Sequence, residues 1–140
     1  MIDHSNMPTT AIEHCLQITQ AHACIQLNLD EALGWAHGMA YQDFVLLTHI
    51  AQSPQQRLTA ADLMRPMGLP LSALVRLVLP LEKTGLLHRD PIPDADGKRY
   101  VTLRPAGQTH LRNATVTAQA ACATVLTALV NGQRALCPTD

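Results

Sequence analysis

The apolar positions of this chain fall into helical rows separated by short polar breaks. From Thr9 to Leu33, Ile12, Leu16, Thr19, Ala23 and Leu27 lie on one stripe, with Cys15, Ile18 and Ile25 beside it. Thr9 or Thr10 caps this helix, and Glu13 stands three residues after Thr10, the spacing of a capping box. Gly34 and Gly38 bracket an expected break containing Trp35 and His37. A second helix runs from Tyr41 to Gln52, with Phe44, Leu47 and Ala51 on one face and Asp43 in the first turn, where a carboxylate suits the helix dipole. Ser53-Pro54 ends it.

The pattern then tightens. Thr59 caps a short helix, Ala60 to Met67, with Leu63, Met64 and Met67 expected to point inward, and Gly68 stops it. Leu71 to Thr84 carries the core stripe Leu74, Leu77, Val78 and Leu81, and Gly85 follows where a positive φ is needed. Leu86 and Leu87 begin a strand. Pro91 to Lys98 is turn chemistry with Asp96-Gly97 as its tip, and Arg99 to Arg104 alternates as a returning strand. Pro105 opens a last helix that reaches about Asn131, its second half rich in Ala and Thr. Helix, turn, helix and hairpin in this order predict a mainly α chain with a small β-hairpin: a helix-turn-helix followed by a wing.

Composition sharpens this picture. The chain has 140 residues, 47% hydrophobic and 15% charged, with a net charge of -1. That fits a single globular domain able to bury a core. No apolar run approaches the roughly 20 residues of a membrane span. The N-terminal MIDHSNMP lacks the basic start and apolar segment of a signal peptide, so the expected location is cytoplasmic. A net charge near zero is unusual for a nucleic-acid partner. The placement of charge matters more: Lys and Arg concentrate from Arg57 to Arg112, while the acids spread along the chain.

The remaining chemistry is sparse. Cys15, Cys24, Cys122 and Cys137 form no CxxC pair, so no zinc finger is expected. His14 and His22 lie two helical turns apart and cannot share an ion unaided. His110 has no ligand partner one turn on. No metal or cofactor is therefore expected. No nucleophile–base pairing or phosphate-binding loop points to an enzyme. On the helix from Leu71, the residues Ser72, Ala73, Val75 and Arg76 lie off the core stripe, where they can meet DNA. Arg76 is the long donor among them, able to grip a guanine or a phosphate. Lys98 and Arg99 flank the wing tip.

These segments, AYQDFVLLTHIA, LTAADLMRPMGL, LSALVRLVLPLEKTGLL, DADGKRYVTL and RPAG, resemble the MarR family of bacterial transcriptional regulators. The resemblance covers Leu29 to Leu111, with the flanking helices matched by position. It implies one MarR-like domain over residues 1–140. Helices 9–33 and 106–131 would interlock two subunits, and a winged helix-turn-helix would span 41–104. It further implies a homodimeric regulator, a repressor, bound to a pseudo-palindromic operator in double-stranded DNA through two recognition helices. Lys98 or Arg99 would take the wing position that enters the minor groove. Family effectors are small aromatic acids and phenols held near the junction of the two lobes. Here that junction holds Trp35, His37, Met39, Tyr41, Phe44 and His49, an apolar group with a few polar members.

The chain departs from the family pattern at four places. Pro70 replaces the usual capping Ser, Val75 a polar residue, Leu79-Pro80 an Asp-Arg pair, and Thr84 a frequent Arg. Pro80 removes a helix bond to the Arg76 carbonyl and is expected to kink the helix. Fewer basic contacts imply a gentler salt dependence of DNA binding. Two other readings share the fold: a switch worked by oxidation of Cys15, and a winged-helix domain that binds protein instead of DNA.

Overall fold

The computed structural model describes residues 10–131. Thr9 and the tail containing Cys137 lie outside them. Among the described residues, five helices and three short strands follow one another as α1 (Ala11–His37), α2 (Tyr41–Ala51), β1 (Arg57–Thr59), α3 (Ala60–Met67), α4 (Leu71–Lys83), β2 (Leu87–Arg89), β3 (Tyr100–Leu103) and α5 (Pro105–Val130). A 3-10 turn, Pro54–Gln56, links α2 to β1.

Helix α1 starts where expected, with the Thr10 hydroxyl accepting the Glu13 amide at 3.1 Å. It does not break at Gly34. The helix continues to His37 and closes at Gly38, whose φ of 61° permits the left-handed turn that returns its amide to the Gly34 carbonyl. Gly34 alone costs about 1 kcal/mol relative to Ala in a helix, too little to stop one whose flanking residues pack. The packing is tertiary: Leu29 and Leu33 are fully buried. Asp30 also bonds the Tyr41 amide at 2.7 Å, so α1 caps the first turn of α2.

The hairpin is part of a three-stranded antiparallel sheet in the order β1-β3-β2. Leu58 faces Val101 on one side of β3 and Arg89 faces Val101 on the other. Val101 and Leu103 turn into the core while Tyr100 and Thr102 stay half-buried. The Arg57 guanidinium stacks 4.0 Å from the centre of the Tyr100 ring. Strand β1 carries no sequence signal, because three residues give no measurable alternation. It forms because β3 offers an open edge.

One core joins both lobes. Leu46, Leu47 and Ile50 of α2, Leu63 of α3, Leu74 and Val78 of α4, and Leu87, Val101 and Leu103 of the sheet are buried together. In α3 only Leu63 is buried. Met64 is 37% exposed and Met67 half-buried, which corrects the expectation that all three point inward. Eight residues make little more than two turns, so only one row faces the core.

The long helices run side by side, α5 burying Gly107, Leu111, Ala114, Ala118, Val125 and Ala128. Their other faces are bare. Every residue of α1 from Ala11 to Gln20 is exposed, including Ile12, Leu16 and Ile18. Val116, Leu126 and Val130 of α5 are more than half exposed. Helix α5 is also long and apolar enough, by length and composition, to cross a membrane, which corrects the expectation that no segment reaches that threshold. Its Ala, Val and Leu residues raise the apolar average although Arg112 and Asn113 sit within it.

Candidate nucleic-acid interface

Helices α3 and α4 form the helix-turn-helix. Thr59 and Asp62 cap α3 reciprocally: the Asp62 amide donates to the Thr59 hydroxyl at 3.1 Å, and the Thr59 amide to the Asp62 carboxylate at 3.0 Å. These bonds, with Lys98 nearby, hold the Asp62 carboxyl below its ordinary pKa. Gly68 ends α3 with a φ of 66° and turns the chain into α4. Pro70 precedes α4 without a side-chain cap.

Helix α4 turns Leu74, Val78 and Leu81 inward. Ser72 and Arg76 are exposed on the opposite side, and Ala73 and Val75 are half-buried on the flanks. The Arg76 Nε reaches back toward the Ser72 carbonyl at 3.4 Å, so the guanidinium lies along its own helix. Pro80 lies within α4, which stays helical to Lys83 rather than ending at the proline. Just beyond it, the Thr84 amide and hydroxyl both donate to the Pro80 carbonyl, at 3.0 and 3.1 Å, and close the helix end.

The wing is built by two aspartates. Asp94 accepts the amides of Asp96 and Lys98 at 2.9 and 2.8 Å, which fixes the tip around Gly97 with its φ of 76°. Asp90 accepts the Tyr100 amide at 3.0 Å, and its carbonyl accepts the Arg99 Nε at 3.0 Å. Lys98 and Arg99 are thereby held on one arm of the wing. Between this arm, the start of α3 and the flank of α4 lies an open concavity of about 470 Å³. Its walls include Leu71 and Val75 of α4, Asp62, and the cations Arg89, Lys98 and Arg99. The structure thus brings Val75, Lys98 and Arg99 to one hollow, with Ser72 and Arg76 on the adjoining face. Arg89 and Leu71 join the hollow without a local pattern to mark them. The faint signal for Arg89 is its place as the last residue of LHR. It also lies 3.7 Å from Glu82, so one cation serves both α4 and the hollow.

The six junction residues do not form one pocket. Because α1 continues past Gly34, Trp35 and His37 project about 200° apart. Trp35 is 93% exposed on the outside. Tyr41 and Phe44 stack on α2 with ring centres 6.3 Å apart, and burial raises the Tyr41 pKa. His49 is half-buried further along α2. Of the six, His37 and Met39 share a cavity. It measures about 380 Å³ and is completed by Asp43, Pro80, Thr84 and His110. His37 Nε2 lies 2.7 Å from the Thr117 hydroxyl, and its ring meets that of His110 edge-on at 6.1 Å. Burial, aided by Asp30, raises the Asp43 carboxyl above its usual pKa, against the lowering bond from the Ala40 amide. This cavity touches α1, α5 and the C-terminal half of α4 at once.

No protein-family model and no curated protein matches the chain. Solved structures do. A MarR family transcriptional regulator from Streptomyces coelicolor, solved in complex with DNA, superposes with a TM-score of 0.73 at 24% identity, over 89% of this chain and 79% of that one. A MarR family regulator from Rhodococcus sp. RHA1 gives 0.74 at 18% identity, over 91% of each chain. A MarR family protein from Mycobacterium tuberculosis, in complex with p-aminosalicylic acid, gives 0.67 at 24% identity, over 86% and 85%. By its element order, its three-stranded sheet and these superpositions, the chain has the winged helix-turn-helix fold of the MarR family of transcriptional regulators.

Proposed function

We propose that the protein is a cytoplasmic, non-enzymatic transcriptional regulator of the MarR type that binds double-stranded DNA as a homodimer and acts as a repressor. The observation that carries this reading is the juxtaposition of the exposed face of α4, with Ser72 and Arg76, and a wing that holds Lys98 and Arg99 beside it. In that arrangement α4 enters the major groove and the wing cations follow the backbone into the minor groove. The neighbour solved with DNA supports it. The test is titration of a duplex from the region upstream of the protein's own gene at low salt. Saturable binding that weakens in Arg76→Ala is the expected result. No saturable binding favours a winged-helix domain that binds protein.

The bare faces of α1 and α5 support the homodimer. A projecting helix with Ile12, Leu16 and Leu27 in water is poorly stabilised alone. A second copy related by a two-fold axis covers both faces and sets two recognition helices against successive half-sites of a pseudo-palindrome.

A small aromatic acid or phenol fits the cavity of His37, Met39, Asp43 and His110, which has apolar walls and a few polar groups. The neighbours solved with p-aminosalicylic and salicylic acid support this effector class. Such a ligand releases DNA only by binding one spacing of the recognition helices more tightly than the other. The free, exposed thiol of Cys15 on the α1 arm favours an oxidative switch as a second reading. Loss of DNA binding on peroxide treatment, abolished in Cys15→Ser, distinguishes it from effector release.

A further inference from the structure

The hollow beside α4 has a floor that does not suit phosphate. Leu71 is 48% exposed, Val75 half-exposed, and Val78 and Val101 lie beneath them. Ala60 and Ala61 line the α3 side. An anion set on this aliphatic surface loses hydration without gaining a hydrogen bond. The cations Arg89, Lys98 and Arg99 stand on the sheet and wing side of the same hollow, where backbone phosphates find charge-assisted partners. The floor therefore calls for an apolar group carried close to phosphates. On the base edges of the major groove, the thymine 5-methyl is that group.

The register of α4 agrees. Leu71 and Val75 are four residues apart and share one flank, while Ser72 and Arg76 form the next row on the same turn spacing. Four residues rise about 6 Å, close to two base steps of about 3.4 Å. We infer that Leu71 and Val75 form an apolar reading edge for thymine methyl groups about two steps apart in each half-site, with Arg89, Lys98 and Arg99 holding the neighbouring phosphates. Val75, which replaces the polar residue expected there, becomes a specificity determinant. This inference rests on the DNA-binding reading proposed above.

The experiment selects duplexes from a randomised pool with the full-length protein, then compares the recovered duplex with versions in which each thymine in turn is replaced by deoxyuridine, which lacks only the methyl. The expected result is a loss of about fourfold in affinity for each recognised methyl removed, at one or two positions per half-site. In Val75→Ala the thymine and uracil duplexes bind equally well at one of these positions, and in Leu71→Ala at the other, a position-specific signature that a generally weakened fold does not produce. Equal binding of both duplexes by the wild-type protein overturns the inference while leaving DNA binding intact. So does a methyl preference that survives unchanged at every recognised position in both variants. Failure to enrich any duplex overturns the DNA-binding reading itself, and this inference with it.

Discussion

Gly107 lies against the Leu86 carbonyl, and the space where a Cβ would stand is already taken. That carbonyl oxygen and Leu103 Cδ1, which would lie 2.7 Å from such an atom, fill it. The same carbonyl accepts the Arg104 amide at 3.0 Å, so the strand that leaves α4 and the helix that leaves the wing are locked together at one peptide group. The RPAG segment thus ends the wing and sets the direction of α5. Gly107→Ala must push this backbone apart, and a loss of roughly 2–3 kcal/mol in urea unfolding is expected, the scale of a core overpacking change. An unchanged midpoint would contradict the close approach.

The reciprocal cap at the start of α3 makes a second prediction. Thr59→Ala removes one of its two bonds and should cost about 1 kcal/mol. The Asp62 carboxyl is held below its ordinary pKa, so its contribution is present at neutral pH and is lost as pH falls through the carboxylate range, below about 4. Wild type and Asp62→Asn should therefore converge in stability in acid, as read by unfolding midpoints at stepped pH.

Asp43 carries the opposite sign. Its carboxyl is raised by burial, so the folded state favours the protonated form, and stability is lost as pH rises through the raised value. Asp43→Asn, which keeps an oxygen to accept the Ala40 amide, should be more stable than wild type by a fraction of a kcal/mol at neutral pH. The advantage should disappear below the ordinary carboxylate range. Thermal melts across pH check this, and a constant difference would place the effect elsewhere.

The bare helical faces predict coupled folding and assembly. Leu16→Glu together with Leu126→Glu places charge on both exposed rows without touching the buried core. The wild type should sediment as a dimer with a melting temperature that rises with protein concentration, whereas the double variant should sediment as a monomer with a lower, concentration-independent one.

Salt separates the roles of the basic residues. Each neutralised phosphate contributes about 0.9 to the slope of log affinity against log salt. Lys98→Ala with Arg99→Ala should flatten that slope by about this amount for every phosphate the two side chains neutralise. Arg76→Ala should cost about 1–3 kcal/mol, relax preference at one position, and leave the slope nearly unchanged if it grips a base. A flattened slope for Arg76→Ala would make it a phosphate clamp.

Local chemistry is legible in the sequence wherever neighbours along the chain decide it. The Thr10 and Thr59 caps, the stop at Gly68, the Gly97 turn and the core row of α4 depend on residues three or four apart. What only the tertiary structure decided depends on distant partners. Leu33 and Asp30 carry α1 through Gly34 by packing and bonding to α2, and this turns Trp35 away from His37 and divides the expected effector pocket. Strand β1 exists because β3 has an edge to pair. Arg89 and Leu71 meet Lys98 and Arg99 only when the sheet folds beside α4. The amino-acid order determined the elements and their caps, because those energies are local. The interface was decided by which faces were left over once every element had buried its apolar row.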